Sequence, residues 1–167
     1  DIHNRSKFLI KIINEIKKSV PESFIVGVRI SPEINDMGIF LNDSLELAKI
    51  LTKIGIDFIH LSCWDCFKIS DEYSKDKKTI TEWFTHTISN LPTIISTGGI
   101  WSSKDATDVM MQGADLIGVG RVAIPYPDWS LNLKDDNYNP PKMPFTSTQL
   151  TKAGLSDVFI AYMKNWK

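Results

Sequence analysis

The stretch PTIISTGGIWSSKDATDVMMQGADLIGVGR, residues 92–121, decides the fold class. It holds an apolar run (PTIISTGG, 92–99), a helical pattern (103–112) and a second apolar run (ADLIGVG, 114–120), within the roughly 30 residues that one strand–helix–strand unit occupies. Both runs are short and bounded by turn residues, as expected of strands buried on both faces. Ser102 and Asp105 have capping-box spacing at the helix start, and Gly113 stands where a left-handed residue ends a helix.

Upstream the alternation repeats. FIVGVRIS (24–31) and DFIHLS (57–62) predict two more strands, and segments 4–19, 44–54 and 79–90 predict helices. The first helix places Phe8, Ile12, Ile16 and Val20 on one stripe; the second places Leu47, Ile50, Leu51 and Ile54. Asp43 with Glu46 repeats the capping-box spacing, and Gly55 closes that helix. The pattern predicts an α/β fold with a parallel sheet and right-handed crossovers. Read as a single domain over 1–167, the chain has βα units at 1–121, a Pro/Asn/Asp-rich loop at 122–145 and short helices at 146–167, ending in amphipathic VFIAYMKNW. Four βα units would complete a small doubly wound sheet. A closed (β/α)8 barrel needs about 250 residues, so on that architecture half is absent.

Composition narrows the function classes. With 167 residues, 43% hydrophobic and 23% charged, the chain reads as an ordinary globular domain, not a disordered or collagen-like one. Lys+Arg 19 against Asp+Glu 20 gives a net charge of -1, so no general pull toward nucleic acid or an anionic membrane is expected. No apolar run has transmembrane length, and the opening DIHNRSKF lacks the apolar core of a signal peptide, which makes a cytoplasmic location the expectation.

Sixteen lysines stand against only Arg5, Arg29 and Arg121. Guanidinium suits planar recognition of carboxylate, phosphate or a ring carbonyl, so each arginine is informative. Alternation in 24–31 puts Phe24, Val26, Val28 and Ile30 on one side and Ile25, Gly27, Arg29 and Ser31 on the other. The second side becomes small and polar toward the strand's C-terminal end, where parallel α/β folds bind ligands. Arg29 there either pairs with a neighbouring carboxylate or meets an electron-rich cofactor. Gly98-Gly99 ends one strand before a capped helix, and Gly120-Arg121 ends the next. Glycine backbone, a helix N-terminus and a guanidinium together predict one phosphate shared by two strand ends.

Cys63-Trp64-Asp65-Cys66 has redox or zinc spacing, but a four-sulfur site needs a second cysteine pair that the chain lacks. No metal site is expected. His60 reads as a hydrogen-bonded core or lumen residue, and His3 and His86 as surface positions. Phe8, Phe58, Trp83 and Phe84 are expected to fill core, and Trp101 to border the pocket. No Ser-His-Asp pattern, Walker loop or zincin helix is present.

In order, NRSKFLIKIINEIKK, VGVRISP, GIDFIHLSCWD, IISTGGI, GADLIGVGRVAI and PDW resemble the C-terminal half of the FMN-dependent Old Yellow Enzyme group, the NADH:flavin oxidoreductases. The resemblance runs from Asn4 to Trp129, and the tail PFTSTQLTKAGLSDVFIAYMKNW is similar to the closing segment of one bacterial branch. It implies that the strands are the fifth to eighth of a (β/α)8 TIM barrel. It further implies FMN as cofactor and NAD(P)H as reductant, with hydride passed to an electron-poor alkene. Arg29 would approach the pyrimidine edge of the flavin, while Gly98, Gly99, Gly120 and Arg121 would hold the FMN phosphate. The substrate-holding His/Asn or His/His pair and the tyrosine proton donor of that group belong to strands one to four, so no catalytic residue is assigned here. The open face would need the N-terminal half barrel, or self-association, to cover it. The competing readings are a non-catalytic phosphate- or flavin-binding half barrel, a phosphosugar-isomerase-type barrel fragment, and a CxxC redox protein.

Overall fold

A computed structural model describes residues 1–163 and Asn165. Four strands, β1 (Gly27–Ile30), β2 (Phe58–Ser62), β3 (Thr93–Thr97) and β4 (Leu116–Gly118), form one parallel sheet in chain order. Helix α1 (Ile2–Ser19) precedes β1, and α2 (Leu41–Lys53), α3 (Ile80–Thr87) and α4 (Ser103–Met111) follow β1, β2 and β3 in turn. The expected α/β alternation with a parallel sheet is therefore present, and it is consistent with part of a (β/α)8 barrel. After β4 come α5 (Trp129–Asn132), α6 (Ser147–Lys152) and α7 (Asp157–Met163). Two compact units result: residues 1–99 with 108–118, and residues 100–107 with 119–167.

In the first unit, one face of the sheet is covered. Val26, Val28, Ile30, Ile59, Leu61 and Ile94 pack with Leu41, Leu45, Ala48 and Leu51 of α2, Ile80 and Phe84 of α3, and Ile13 of α1. Each of the Val, Leu, Ile and Phe side chains contributes about 1.5–3 kcal/mol through loss of water contact. Within that face Thr81 and Ser96 satisfy one another at 2.8 Å, so their burial leaves no orphan hydroxyl.

Two like turns start β2 and β4. After Gly55 (φ 72°) and Gly113 (φ 93°), both in the predicted left-handed conformation, come Asp57 and Asp115. Each aspartate clasps the strand before it. Asp57 Oδ2 accepts from Val26 N at 2.7 Å while its own N–H donates to Val26 O at 2.8 Å. Asp115 Oδ2 accepts from Ile94 N at 2.8 Å, and its N–H donates to Ile94 O at 2.9 Å.

Several expectations are corrected. The Phe8, Ile12, Ile16 stripe of α1 is not its packed face: these side chains are 74%, 40% and 38% exposed, and the helix docks through Leu9 and Ile13. Polar anchors on that same side choose the face, since Arg5 pairs with Asp43 at 2.5 Å and Lys17 Nζ donates to the carbonyls of Ile54 and Gly55 at the end of α2. Asp43 and Glu46 do not cap α2, which begins at Leu41 with Phe40 as its N-cap; Glu46 pairs with Lys49 instead. A capping box does form where none was predicted, between Thr79 and Glu82 at the start of α3. The Ser102–Asp105 box forms as expected, Asp105 N donating to Ser102 Oγ at 3.1 Å and Ser102 N to Asp105 Oδ2 at 2.9 Å. Of the core aromatics, Phe84 is fully buried, Phe58 and Trp83 are half-buried, and Phe24, ahead of β1, is exposed.

In the second unit Trp101 is a core residue, not a pocket border. Its indole N–H donates to Pro140 O at 2.6 Å, its carbonyl accepts from the Trp129 indole at 2.6 Å, and its ring stacks on Phe145. Leu150, Ile160 and Met163 form a small cluster with Phe145 and Leu155. The expected amphipathic ending VFIAYMKNW is helical to Met163; Lys164, Trp166 and Lys167 lie outside the described residues. Among the described residues no helix is long and apolar enough to cross a membrane.

Candidate functional site

The second face of the sheet stays open. Register places Arg29, His60, Ile95 and Leu116 in one row, and Ser62, Thr97 and Gly118 in the next row toward the C-terminal strand ends. Below them the Phe58 ring lies across Gly27, where any Cβ would overlap it. Arg29 and Leu116 are exposed; Phe58, His60 and Ile95 are half-buried.

Arg29 has a neutral partner. Its Nη2 donates to Ser62 Oγ at 2.6 Å, so the ion-pair alternative is not what the structure forms. A hydroxyl orients the guanidinium without cancelling its charge, and other N–H donors remain on the fork. One strand over, His60 Nε2 and Thr97 Oγ1 are hydrogen-bonded at 2.6 Å, as the sequence reading of His60 required. Burial, then the nearby Arg29 charge, holds the His60 pKa below its ordinary value, so the imidazole is neutral at pH 7. Gly118 makes room for this pair, because a Cβ there would overlap Thr97 Oγ1 and stand 3.2 Å from His60 Nε2. Ser62, Thr97 and Gly118 were not singled out from sequence. Alternation through 57–62 would have put Ser62 on the Arg29 face, but pairing it with Arg29 required the register.

Gly98 and Gly99 end β3 with φ 140° and 73°, conformations that suit glycine. The Cys63–Cys66 loop seats on them. Cys66 N and Sγ both donate to Gly98 O, at 3.1 and 2.8 Å, and a Cβ at Gly98 would stand 2.5 Å from Cys63 O. Cys63 N donates to Thr97 O at 2.9 Å. Neither cysteine is in a disulfide. Burial first, then the charges of Asp65 and Glu33, push the Cys63 thiol up to about 12, which leaves it a poor nucleophile at neutral pH. Beside the loop a cleft of about 530 Å³ opens past β1 and β2, with Glu33, Asp36, Cys63, Trp64, Asp65 and Lys68 among its walls. Glu33 ties that region together, accepting from Ser70 Oγ (2.8 Å), Asp71 N (2.9 Å) and Glu72 N (3.1 Å). Among the described residues no group of His, Cys, Asp and Glu is arranged to hold a metal ion.

Gly120 and Arg121 fall in the second unit. A Cβ at Gly120 would meet nothing within 4 Å, so no protein atom demands glycine there. Arg121 is exposed.

Across residues 1–139 the chain matches the NADH:flavin oxidoreductase / NADH oxidase family. It belongs to that family. The sequence-based resemblance is thereby borne out at family level. Curated relatives within or near this oxidoreductase family include the NADH:fumarate oxidoreductase of Klebsiella pneumoniae, 30% identical over 139 residues (78% of this chain, 15% of the relative). Another is the probable NADH-dependent flavin oxidoreductase YqiG of Bacillus subtilis, 27% identical over 136 residues (78% of this chain, 37% of the relative). The NADH:acrylate oxidoreductase of Vibrio harveyi is 27% identical over 145 residues, covering 81% of this chain and 14% of the relative. The chain thus spans between about a seventh and about two-fifths of the length of these relatives.

Proposed function

We propose that the chain is the FMN-binding portion of an NAD(P)H-dependent flavin oxidoreductase of Old Yellow Enzyme type, its strands being the fifth to eighth of a TIM barrel. The supporting observation is Arg29: a full cation on the open face near the C-terminal strand ends, oriented by a hydroxyl and flanked by a neutral imidazole. That donor set fits the pyrimidine edge of a flavin, where N–H donors meet ring carbonyl and nitrogen and a cation favours negative charge on the reduced ring.

When bound, FMN would supply the two-electron chemistry, taking hydride from NAD(P)H and giving it to an electron-poor alkene. Arg29 orients the ring edge and stabilises charge there. Phe58 and Ile95, on the same open face, offer apolar surface beside it. Within the first unit the backbone N–H groups at Gly98 and Gly99 are proposed as phosphate donors, and within the second the Gly120 N–H and the Arg121 side chain. Fumarate and acrylate, in the names of two relatives, are both alkenes conjugated to a carboxyl group, which supports an activated alkene as acceptor class. The open face and the unpacked Phe8, Ile12 and Ile16 stripe support the need for an N-terminal half barrel or a second copy as cover. A cytoplasmic setting accords with two cysteines that are not joined in a disulfide.

FMN titration of the chain assembled with its N-terminal half barrel, followed by flavin absorption and fluorescence, tests this reading. Arg121→Ala is expected to weaken FMN retention about tenfold or more, the loss of one charge-assisted contact. Arg29→Ala is expected chiefly to slow flavin reduction by NADH. Unchanged FMN affinity in Arg121→Ala removes the phosphate assignment; flavin binding with no bleaching by NADH favours the non-catalytic binder.

A further inference from the structure

We infer that Ser62 is a positioning residue: its Oγ fixes where the Arg29 guanidinium stands on the open face, with the His60–Thr97 pair walling the adjoining strand. This rests on the flavin reading above for its consequence, though not for its geometry.

An arginine on a half-open sheet face has several rotatable bonds and, left to itself, distributes its charge over many positions. Ser62 narrows them. It lies one row further along than Arg29, on the adjacent strand and the same face, and its hydroxyl accepts from Nη2 at 2.6 Å. This draws the guanidinium toward the C-terminal strand ends. His60 is Arg29's direct register partner, and its ring is turned to Thr97 on the far side at 2.6 Å. Gly118 is what lets that turn happen, since any side chain there would overlap Thr97 Oγ1. The imidazole so held, and uncharged beside the guanidinium, neither competes for Ser62 nor repels Arg29. Four strands therefore cooperate to place one charge.

Two measurements test the assignment, the first on the chain assembled with its N-terminal half barrel and the second on the chain alone. In the FMN-loaded protein, Arg29→Gln should lower the flavin midpoint potential by reducing the preference for reduced over oxidised FMN about tenfold. Ser62→Ala should shift it in the same direction by a smaller amount, Ser62→Thr should restore it, and Ser62→Ala should add nothing once Arg29 is already Gln. Equal Ser62→Ala shifts with and without Arg29, or none where Arg29→Gln produces one, overturn the inference. The second measurement needs no flavin. In the unliganded chain, NMR titration of the His60 imidazole should show its pKa rising in Arg29→Gln and rising part of the way in Ser62→Ala, with recovery in Ser62→Thr. A His60 titration insensitive to Ser62→Ala overturns the inference regardless of flavin. Absence of FMN binding, or a potential indifferent to Arg29→Gln, defeats the flavin reading instead, and the imidazole titration still decides the role of Ser62.

Discussion

Gly98→Ala separates what the fold demands of the glycine pair from what a ligand would demand. At φ 140° an L-residue is strained, and the added Cβ would stand 2.5 Å from Cys63 O, 2.9 Å from Cys63 C and 3.1 Å from Cys66 N. All three neighbours are backbone atoms of the Cys63–Cys66 loop, which is already held by hydrogen bonds from Cys66 N and Sγ to Gly98 O and from Cys63 N to Thr97 O. A side-chain neighbour could rotate away, but this loop has to shift as a whole. Backbone strain costs about 1–3 kcal/mol and overpacking about 1–3 kcal/mol more, so the sum is about 2–6 kcal/mol. For a chain of this size that lowers Tm by roughly 10 °C. Gly120→Ala is the control, because its Cβ meets nothing within 4 Å and its φ lies outside the left-handed region. Urea and thermal unfolding of the full chain without ligand, with both variants side by side, provide the assay. Equal stability losses at the two positions, or a Gly98→Ala protein as stable as the parent, would refute the steric reasoning and leave the glycine pair to ligand binding alone.

Two further outcomes follow from the titrating groups. With its thiol pushed up to about 12, Cys63 should react with iodoacetamide at pH 8 roughly a thousandfold more slowly than an ordinary thiol, and Cys63→Ser should not alter any thiol–disulfide exchange rate; rapid alkylation of Cys63 in the folded chain would contradict the burial argument. His60 is depressed in the folded state, so the unfolded chain binds the extra proton first. Its contribution is therefore present above about 6.5 and is lost as pH falls from there toward the folded-state value. Denaturation at stepped pH should show that this loss is smaller in His60→Gln, and identical profiles would remove His60 as its source.

Strands and glycine helix ends were legible in the sequence because their signals are local. The apolar runs at 24–31, 57–62, 92–99 and 114–120 each contain the observed strand, and Gly55 and Gly113 take the left-handed conformation assigned to them. What was illegible depends on partners far along the chain. Helix α1 carries two apolar stripes, and only Arg5 on Asp43 and Lys17 on the end of α2 show which one packs. Asp43 had a capping spacing but a better partner in Arg5. Trp101 looked like a pocket aromatic because its two indole-to-carbonyl hydrogen bonds, with Pro140 and Trp129, join residues that only the folded second unit brings together. At the site, Arg29 was readable from strand alternation alone. Its partner was not, since Ser62 is 33 residues away and meets it only through a one-row offset between parallel strands.

The aspartate clasps at the starts of β2 and β4 have a consequence for how the sheet tolerates change. Asp57 fastens β2 to β1 and Asp115 fastens β4 to β3, so the sheet is assembled as two like doublets, each bolted at its base. Insertions or nicks in the connection between doublets, where Lys75, Asp76 and Lys77 are exposed, leave both bolts in place; the same lesion between Val26 and Asp57 has to be borne by one doublet alone. The connection between the doublets can thus be lengthened without touching either clasp, while the β2–β3 pairing, the longest in the sheet, keeps the two doublets together.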